Sequence, residues 1–331
     1  MPSYLIHSPN WLGDVVMSLP AFRVWREANA DAEVSIIARR SVAGLWRLVK
    51  GVDHLIETAK DAEVERAARK DIRSLRIDDA IILPNSFRSA WTAWRSGVRS
   101  IRGTAGDFRS FMISDTVSLS GLEEAHQSIE YARILGVREE DLPSPAETLD
   151  VGRLPSDPLP GLGLSNRIVV MPGAARGPSK RYPASHFVSA ISTILGEHGE
   201  LSVIVCGTPS EAEDCSAVAD GINAAFQGRA ENLCGRTNLT SLCAILARAK
   251  VVCCNDSGGM HLATAMGAPV VAVFGLTDPR KTGPLGRARV VAAEGVEVSR
   301  AIARRSEAAE KALASIAPGR VVAALREMLG Q

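Results

Sequence analysis

The feature that most constrains this chain is an alternation that runs twice. The apolar runs YLIHS (4–8), EVSIIAR (33–39), HLIE (54–57), DDAIILPN (78–85) and RSIRG (99–103) are separated by helical periodicity at 14–28, 42–49, 62–75 and 87–96. Strand–helix–strand alternation of this kind predicts an α/β fold with a parallel sheet and helices on both faces. At 141–166 the pattern stops in DLPSPAETLDVGRLPSDPLPGLGLSN, dense in Pro and Gly, which reads as a linker. It then restarts with RIVVMPG (167–173), a helix over 184–197, LSVIVCG (201–207), a helix near 211–219, AKVVCCN (249–255), a helix over 260–266, APVVAVFG (268–275) and an amphipathic helix over 320–329. Two doubly wound domains are therefore expected, over 1–155 and 156–331. The last helix is a candidate to pack back on the first domain. Two such domains facing each other would bring their strand C-termini to a common cleft, where ligands bind in these sheets.

At 331 residues the chain is long enough for two cores. Its 46% hydrophobic and 5% aromatic content describes aliphatic interiors, and a formal charge of +1 argues against general nucleic-acid binding. No apolar run approaches the ~18 residues that a bilayer span needs. The N-terminus lacks a basic segment followed by a long apolar one, so a cytoplasmic protein is expected. All six cysteines lie in the second half without a C-x-x-C spacing, and Cys206, Cys253 and Cys254 sit in apolar runs. They read as small buried hydrophobes, not as a disulfide or metal set.

Four stretches carry chemistry. In SPNWLGDVVMSLP (8–20) a strand runs into a turn and one carboxylate, Asp14, opens the next helix. That acid is either a plain helix cap or a base held at a cleft. Pro20 lacks the N–H that would bond back to Val16, which predicts a short or kinked first turn. In CCNDSGGMHLATAMGAPVVAVFGLTDPRKTGPLG (253–286) a strand ends at Asn255-Asp256, and Ser257-Gly258-Gly259 enters a helix carrying His261. Glycines there admit close backbone approach, and the first helical N–H groups face anionic oxygens; a capped helix with a packed histidine is the alternative. MPGAARGPSKRYPASHF (171–187) places Lys180 and Arg181 before a helix, suited to phosphate or simply to solvent. In CGTPSEAED (206–214), Glu211 opens a helix, where an acid favours the dipole.

Between 88 and 109 stand Arg88, Arg95, Arg99, Arg102 and Arg109 against one acid, Asp107. On loops at a cleft rim they would suit an anionic substrate. Phe87, Trp91 and Trp94 share a helical face, which reads first as core or interdomain packing and second as a sugar-stacking surface.

Taken together these stretches resemble glycosyltransferase family nine, the ADP-heptose:lipopolysaccharide heptosyltransferases, nearest its heptosyltransferase II group. The resemblance rests on SPNWLGDVVMSLPAFR, LPNSFRSA (83–90), PGAARGPSKRYP (172–183), the long block from Leu233 to Pro279, and IAPGRVV (316–322). It implies the GT-B fold, two Rossmann-like domains with an interdomain cleft. It also implies an inverting transfer of L-glycero-D-manno-heptose from ADP-heptose to an inner-core lipopolysaccharide acceptor. By that resemblance Asp14 is the base. Lys180, Glu211, Asp256, Ser257, Gly258, Gly259 and His261 hold the donor. The candidate acceptor contacts are Asn10, Gly13, Asn85, Ser86 and Arg88, within or beside these motifs, and Arg102 and Arg109 of the arginine-rich run.

The partners implied are a nucleotide-sugar donor and an anionic lipid-linked saccharide, with peripheral contact at the cytoplasmic face of the inner membrane as a further candidate. Nucleic acid and an obligate protein partner are not expected, nor is a cofactor or metal. The first domain would bind acceptor and the second donor. Rivals are a GT-B transferase or epimerase using another sugar nucleotide or acceptor, a dinucleotide-dependent oxidoreductase, and a non-catalytic carbohydrate-binding protein. The oxidoreductase is disfavoured because PNWLGD lacks G-x-G-x-x-G.

Overall fold

The computed structural model describes residues 1–159, 161–298 and 303–330. Pro160 of the predicted linker therefore lies outside the described residues. The chain divides into two units, Met1–Asp150 and Val151–Gln331. The boundary falls five residues earlier than the composition suggested, inside a run of short 3-10 turns at Pro145–Glu147 and Val151–Arg153.

In the first unit the strands are β1 (Ser3–His7), β2 (Glu33–Arg39), β3 (His54–Thr58), β4 (Asp79–Ile82), β5 (Ser100–Thr104) and β6 (Asp115–Val117). They form one sheet in the order β3-β2-β1-β4-β5-β6, and every recorded pairing is parallel. The helices are α1 (Leu12–Ala28), α2 (Arg40–Trp46), α3 (Ala62–Ser74), α4 (Phe87–Arg95) and α5 (Gln127–Leu135). Leu5, Ile6, Ile36, Ile37 and Ile82 are wholly buried, as strands covered on both faces require. α1 runs unbroken through Pro20, so the expected short first turn is corrected. Val15, Val16, Leu19, Ala21, Phe22 and Trp25 are buried on either side of the proline, and that packing carries the helix across the missing N–H.

In the second unit the strands are β7 (Arg167–Met171), β8 (Ser202–Val205), β9 (Ala230–Asn232), β10 (Val251–Asn255), β11 (Val270–Phe274) and β12 (Ala288–Ala292). Their order, β12-β11-β10-β7-β8-β9, repeats the arrangement of the first sheet with β7 as its first strand. The helices are α6 (Ala184–Glu197), α7 (Ala212–Ala225), α8 (Leu239–Leu246), α9 (Gly258–Ala265), α10 (Pro279–Thr282), α11 (Glu307–Ala314) and α12 (Pro318–Leu329). α12 lies on α6 and on β10, β11 and β12 of its own unit, burying Val321, Val322, Leu325 and Met328. Five of the six cysteines are buried, and all six are free thiols. Burial pushes Cys206, Cys243 and Cys253 up to about 12, the behaviour of packed hydrophobes.

Each sheet reverses strand order at one place, between β1 and β4 and between β7 and β10. The loops leaving those strands diverge there and open a crevice. Among the described residues, no helix is long and apolar enough to cross a membrane.

Candidate active site

Both strand-order reversals carry the side chains that the sequence singled out. In the first unit, β1 leads through His7–Trp11 into α1. The N-cap position belongs to Trp11, which supplies no capping side chain, and Asp14 stands in the first turn. Asp14 reaches across to α5, where its Oδ1 accepts from Gln127 Nε2 at 2.6 Å and from Tyr131 Oη at 2.9 Å. Gln127 and Tyr131 lie one turn apart on one face of α5, and Gln127 also donates to the Tyr131 oxygen at 3.1 Å. Burial, and then the neighbouring Asp14 carboxylate, push the Tyr131 phenol well above its usual range, so it remains a donor. Among the described residues no donor reaches Asp14 Oδ2. The carboxylate is thus fixed by one oxygen and free at the other, which is what a positioned base requires. Neither Gln127 nor Tyr131 was singled out by sequence; the available signal was two hydrogen-bonding side chains at i and i+4.

A pocket opens at the C-terminal ends of β1, β2 and β3. It is lined by His7, Asn10, Arg39, Lys60, Ser86 and Arg88 among others. Three expected acceptor residues, Asn10, Ser86 and Arg88, are therefore gathered together. Arg39 and Lys60 were missed, although each stands at or just beyond the C-terminal end of a strand, where the strand-end rule points. Arg88 also pairs with Glu65 at 2.6 Å. His7 is buried beneath the pocket and its Nδ1 lies 3.1 Å from the Ser8 carbonyl. Burial above all, with the Arg39 and Arg109 charges, lowers its pKa to about 4. His7 is neutral at pH 7.

Two expected acceptor contacts are corrected. Arg109 is fully buried, donating to the Pro84 carbonyl at 2.6 Å and to Thr104 Oγ1. Desolvation lowers its pKa, and it pins the loop carrying Asn85 and Ser86 instead of facing a ligand. Arg102 pairs with Asp115 and donates to the Ile134 carbonyl at 2.7 Å, tying β5 to β6 and α5. Asn85 is exposed and accepts from Thr104 at 3.0 Å. Gly13 is buried in the first turn of α1 beside Asp14. Of the Phe87–Trp91–Trp94 stripe, read first as core, only Trp91 packs against the core of the unit; Phe87 and Trp94 are exposed.

In the second unit the loops after β7 and β10 are stitched together. Asn255, fully buried, accepts from the Tyr182 N–H at 3.0 Å and donates to the Pro172 carbonyl at 2.6 Å. This brings Lys180 Nζ to 2.5 Å from Asp256 Oδ2, both side chains being largely buried. The adjoining α9 starts at Gly258, and the side chain of its N-cap residue, Ser257, makes no capping bond. The Gly258 and Gly259 N–H groups open that helix at its positive end. A Cβ on Gly259 would meet Met171 Sδ at 2.8 Å, so glycine permits the close approach of β7 and α9. His261 is buried in α9. Arg181 forms an ion pair with Asp214 at 2.8 Å, so it is not simply solvated.

Glu211 ends the 3-10 turn after β8 and closes a capping box: its Oε2 accepts from the Thr208 N–H at 2.7 Å and from Thr208 Oγ1 at 2.8 Å. The structural role expected of an acid at a helix start is therefore real. Its Oε1 receives no hydrogen bond among the described residues. A Cβ on Gly173 would lie 2.3 Å from that oxygen, so the carboxylate leans into the loop that leads to Lys180. A larger cavity, lined by Asp157, Leu162, Asn166, Arg248 and Lys250, lies where β7 and β10 begin and holds none of these groups.

A comparison with protein families matches residues 65–312 to glycosyltransferase family 9 (heptosyltransferase). The chain is 28% identical to lipopolysaccharide heptosyltransferase 2 of Escherichia coli K12, over 99% of this chain and 98% of that protein. It is 26% identical to lipooligosaccharide heptosyltransferase 2 of Haemophilus ducreyi, over 98% and 99%. Its fold matches the solved structure of E. coli ADP-heptose lps heptosyltransferase II with a TM-score of 0.80 and 26% identity, covering 99% of this chain and 98% of that one. The two Rossmann-like sheets are therefore those of a GT-B fold.

Proposed function

Because the chain belongs to glycosyltransferase family 9, we propose that it moves a heptose from ADP-heptose onto an inner-core lipopolysaccharide acceptor, with inversion, using Asp14 as the base. The chain is a glycosyltransferase of the heptosyltransferase kind, and the rival sugar-nucleotide activities are not favoured. The observation that carries the residue assignment is the state of Asp14: Oδ1 held by Gln127 and Tyr131, Oδ2 without a donor among the described residues.

The acceptor hydroxyl attacks the anomeric carbon from the face opposite the diphosphate. Its proton passes to Asp14 Oδ2 as the new C–O bond forms, and the bond to the diphosphate oxygen breaks, releasing ADP. The reading requires the donor, held by the second unit, to be presented to the acid of the first. Charge growing on the leaving diphosphate is met by Lys180 and by the N–H groups opening α9. In this reading Glu211 Oε1 accepts from a ribose hydroxyl, and His261 belongs to α9, the helix whose first N–H groups meet the diphosphate. Arg39, Lys60 and Arg88 supply the positive charge that an acidic saccharide needs. We place the reaction at the cytoplasmic face of the inner membrane, where a lipid-linked acceptor is met, with no cofactor beyond the donor.

Asp14→Asn tests this directly. It keeps the size and one accepting oxygen but removes the base. Transfer from ADP-heptose to a panel of truncated core lipids, read by mass spectrometry, should fall below detection while ADP-heptose affinity stays near normal. Near-normal turnover in that variant would defeat the assignment.

A further inference from the structure

The chain is poor in aromatic residues, yet four of them converge on one surface of the first unit, and a fifth, Phe108, stands on the loop three residues before one of these. Phe87, Trp91 and Trp94 run along α4, and Phe111 comes from the 3-10 turn at Ser110–Met112. Ring centroids stand 5.7 Å apart for Phe87–Trp91, 5.3 Å for Trp91–Trp94 and 6.0 Å for Trp94–Phe111. This cluster does not close over itself: Phe87 is 39%, Trp94 40% and Phe111 66% exposed. Phe108, on the loop after β5, is 94% exposed. A shallow cavity beside the cluster has Val98, Met112 and Ile113 in its lining, together with Trp94, Phe111 and Arg99.

The loop that carries Phe108 is built and anchored. Asp107 and Phe108 are consecutive non-glycine residues with φ of 47° and 57°, left-handed backbone that is unfavourable for both. The next residue, Arg109, is wholly buried and bonded to Pro84 and Thr104, fastening the loop to the body of the unit. A strained backbone thus holds a phenylalanine out in water, on a fixed base. The surrounding charge has one dominant sign. Arg95 and Arg99 are exposed on the same segment, while Arg88 is paired with Glu65, and the Arg95 guanidinium lies 5.4 Å from the Trp91 ring centre. Asp107 is the single acid from 86 to 114.

Exposed Phe and Trp side chains interspersed with arginines match the headgroup–acyl boundary of a bilayer: rings enter the boundary and guanidinium groups meet phosphates. We propose that this face docks the enzyme on an anionic lipid bilayer, with Phe108 and Phe111 entering the boundary and Arg95 and Arg99 on the headgroups. The proposal deepens the lipid-linked acceptor assigned above and rests on it. The docking face reaches the strand-end edge that bears Ser86 and Arg88 of the acceptor pocket.

The test is flotation of the full chain with vesicles of phosphatidylglycerol and phosphatidylethanolamine, against vesicles of phosphatidylcholine alone. Wild type should float with the anionic vesicles, and float less as salt rises. Phe108→Ser with Phe111→Ser should lower the bound fraction about tenfold or more. Arg95→Ala with Arg99→Ala should weaken the salt dependence. In the same experiment, the serine variant should transfer heptose to a delipidated, water-soluble acceptor as well as wild type does. Absence of wild-type binding to anionic vesicles, or equal binding by the serine variant, overturns the proposal. So does a dimer that dissociates on Phe108→Ser with Phe111→Ser and leaves vesicle binding unchanged, since the face would then belong to a second copy. Failure of transfer to every acceptor would instead remove the function proposed above, while the flotation result would still report on the face.

Discussion

Tyr131 donates its phenolic hydrogen to Asp14 Oδ1 from a helix 117 residues further along the chain, at 2.9 Å. Gln127 donates to the same oxygen from the preceding turn of that helix. The pair fixes which oxygen of the carboxylate is occupied and which, among the described residues, is left without a donor. That distinction separates a structural acid from a usable base.

Tyr131→Phe should therefore lower kcat and leave the KM for ADP-heptose nearly unchanged. A hydrogen bond to a charged group contributes about 1.5–3 kcal/mol, so a fall of roughly 10–100-fold in kcat is expected. Gln127→Leu should act in the same direction. Steady-state kinetics on both variants, with thermal unfolding as the control for folding, decide it. Because burial holds the phenol above its usual range, wild-type activity should show no alkaline loss near pH 10 from ionisation of Tyr131.

Lys180 and Asp256 form a largely buried pair, and each change there has two consequences. Lys180→Ala should cut turnover about 10²–10³-fold, the usual effect of removing one preorganised contact to developing charge, and should weaken ADP-heptose binding. It also leaves the Asp256 carboxylate buried without its partner, which typically destabilises by about 3–5 kcal/mol. Lys180→Met combined with Asp256→Asn removes both charges and should recover much of the lost stability without recovering donor affinity. Calorimetric titration with ADP beside thermal melts separates the two. Donor affinity that Lys180→Ala leaves unchanged would end the phosphate assignment.

Glu211 and Gly173 should behave as one unit. Alanine at 173 would place a Cβ 2.2 Å from Glu211 Cδ, and the side chain can yield only by releasing its capping bonds. Gly173→Ala and Glu211→Ala should each cost about 1 kcal/mol of stability, a typical capping contribution, and each should weaken ADP binding. The double variant should be little worse than either single one, because the second change acts on a carboxylate already displaced or absent. Full additivity in that cycle would show that Gly173 acts through something else.

Where the sequence was legible and where it was not follows from the range of the interactions. β2 (Glu33–Arg39) and α6 (Ala184–Glu197) have the bounds their periodicity indicated, because both present long, uniform burial patterns. β6 and β9 have three residues each and no fully buried face, so they carry no apolar run to read. α5 is nine residues long and was not anticipated, and with it went Gln127 and Tyr131, whose bonds to Asp14 span more than a hundred residues. α9 starts two residues before its apolar pattern, at Gly258, because the β10 turn sets its start and glycine gives no helical signal. Arg109 counts toward a surface charge run in sequence, and only the Pro84 carbonyl and Thr104 reveal it as a buried fastening. Arg39 and Lys60 show the reverse case, since the strand-end rule would have named them once β2 and β3 were drawn.

His7 connects the acceptor pocket to the acid stability of the first unit. Its folded pKa, about 4, lies below the usual 6.5, chiefly because burial excludes the charged imidazole and because Arg39 and Arg109 repel it. Above pH 6.5 neither state carries the proton and the full stability is present. As pH falls from 6.5 toward 4, the unfolded chain binds a proton that the folded one refuses, so stability is lost across that window. The loss attributable to this residue should be on the order of 3 kcal/mol. His7→Asn keeps a donor for the Ser8 carbonyl and removes the titration. Urea unfolding at pH 7, 6, 5 and 4 should give wild-type and variant curves that converge as the medium becomes acidic. Parallel curves over that range would mean that His7 is not the group responsible.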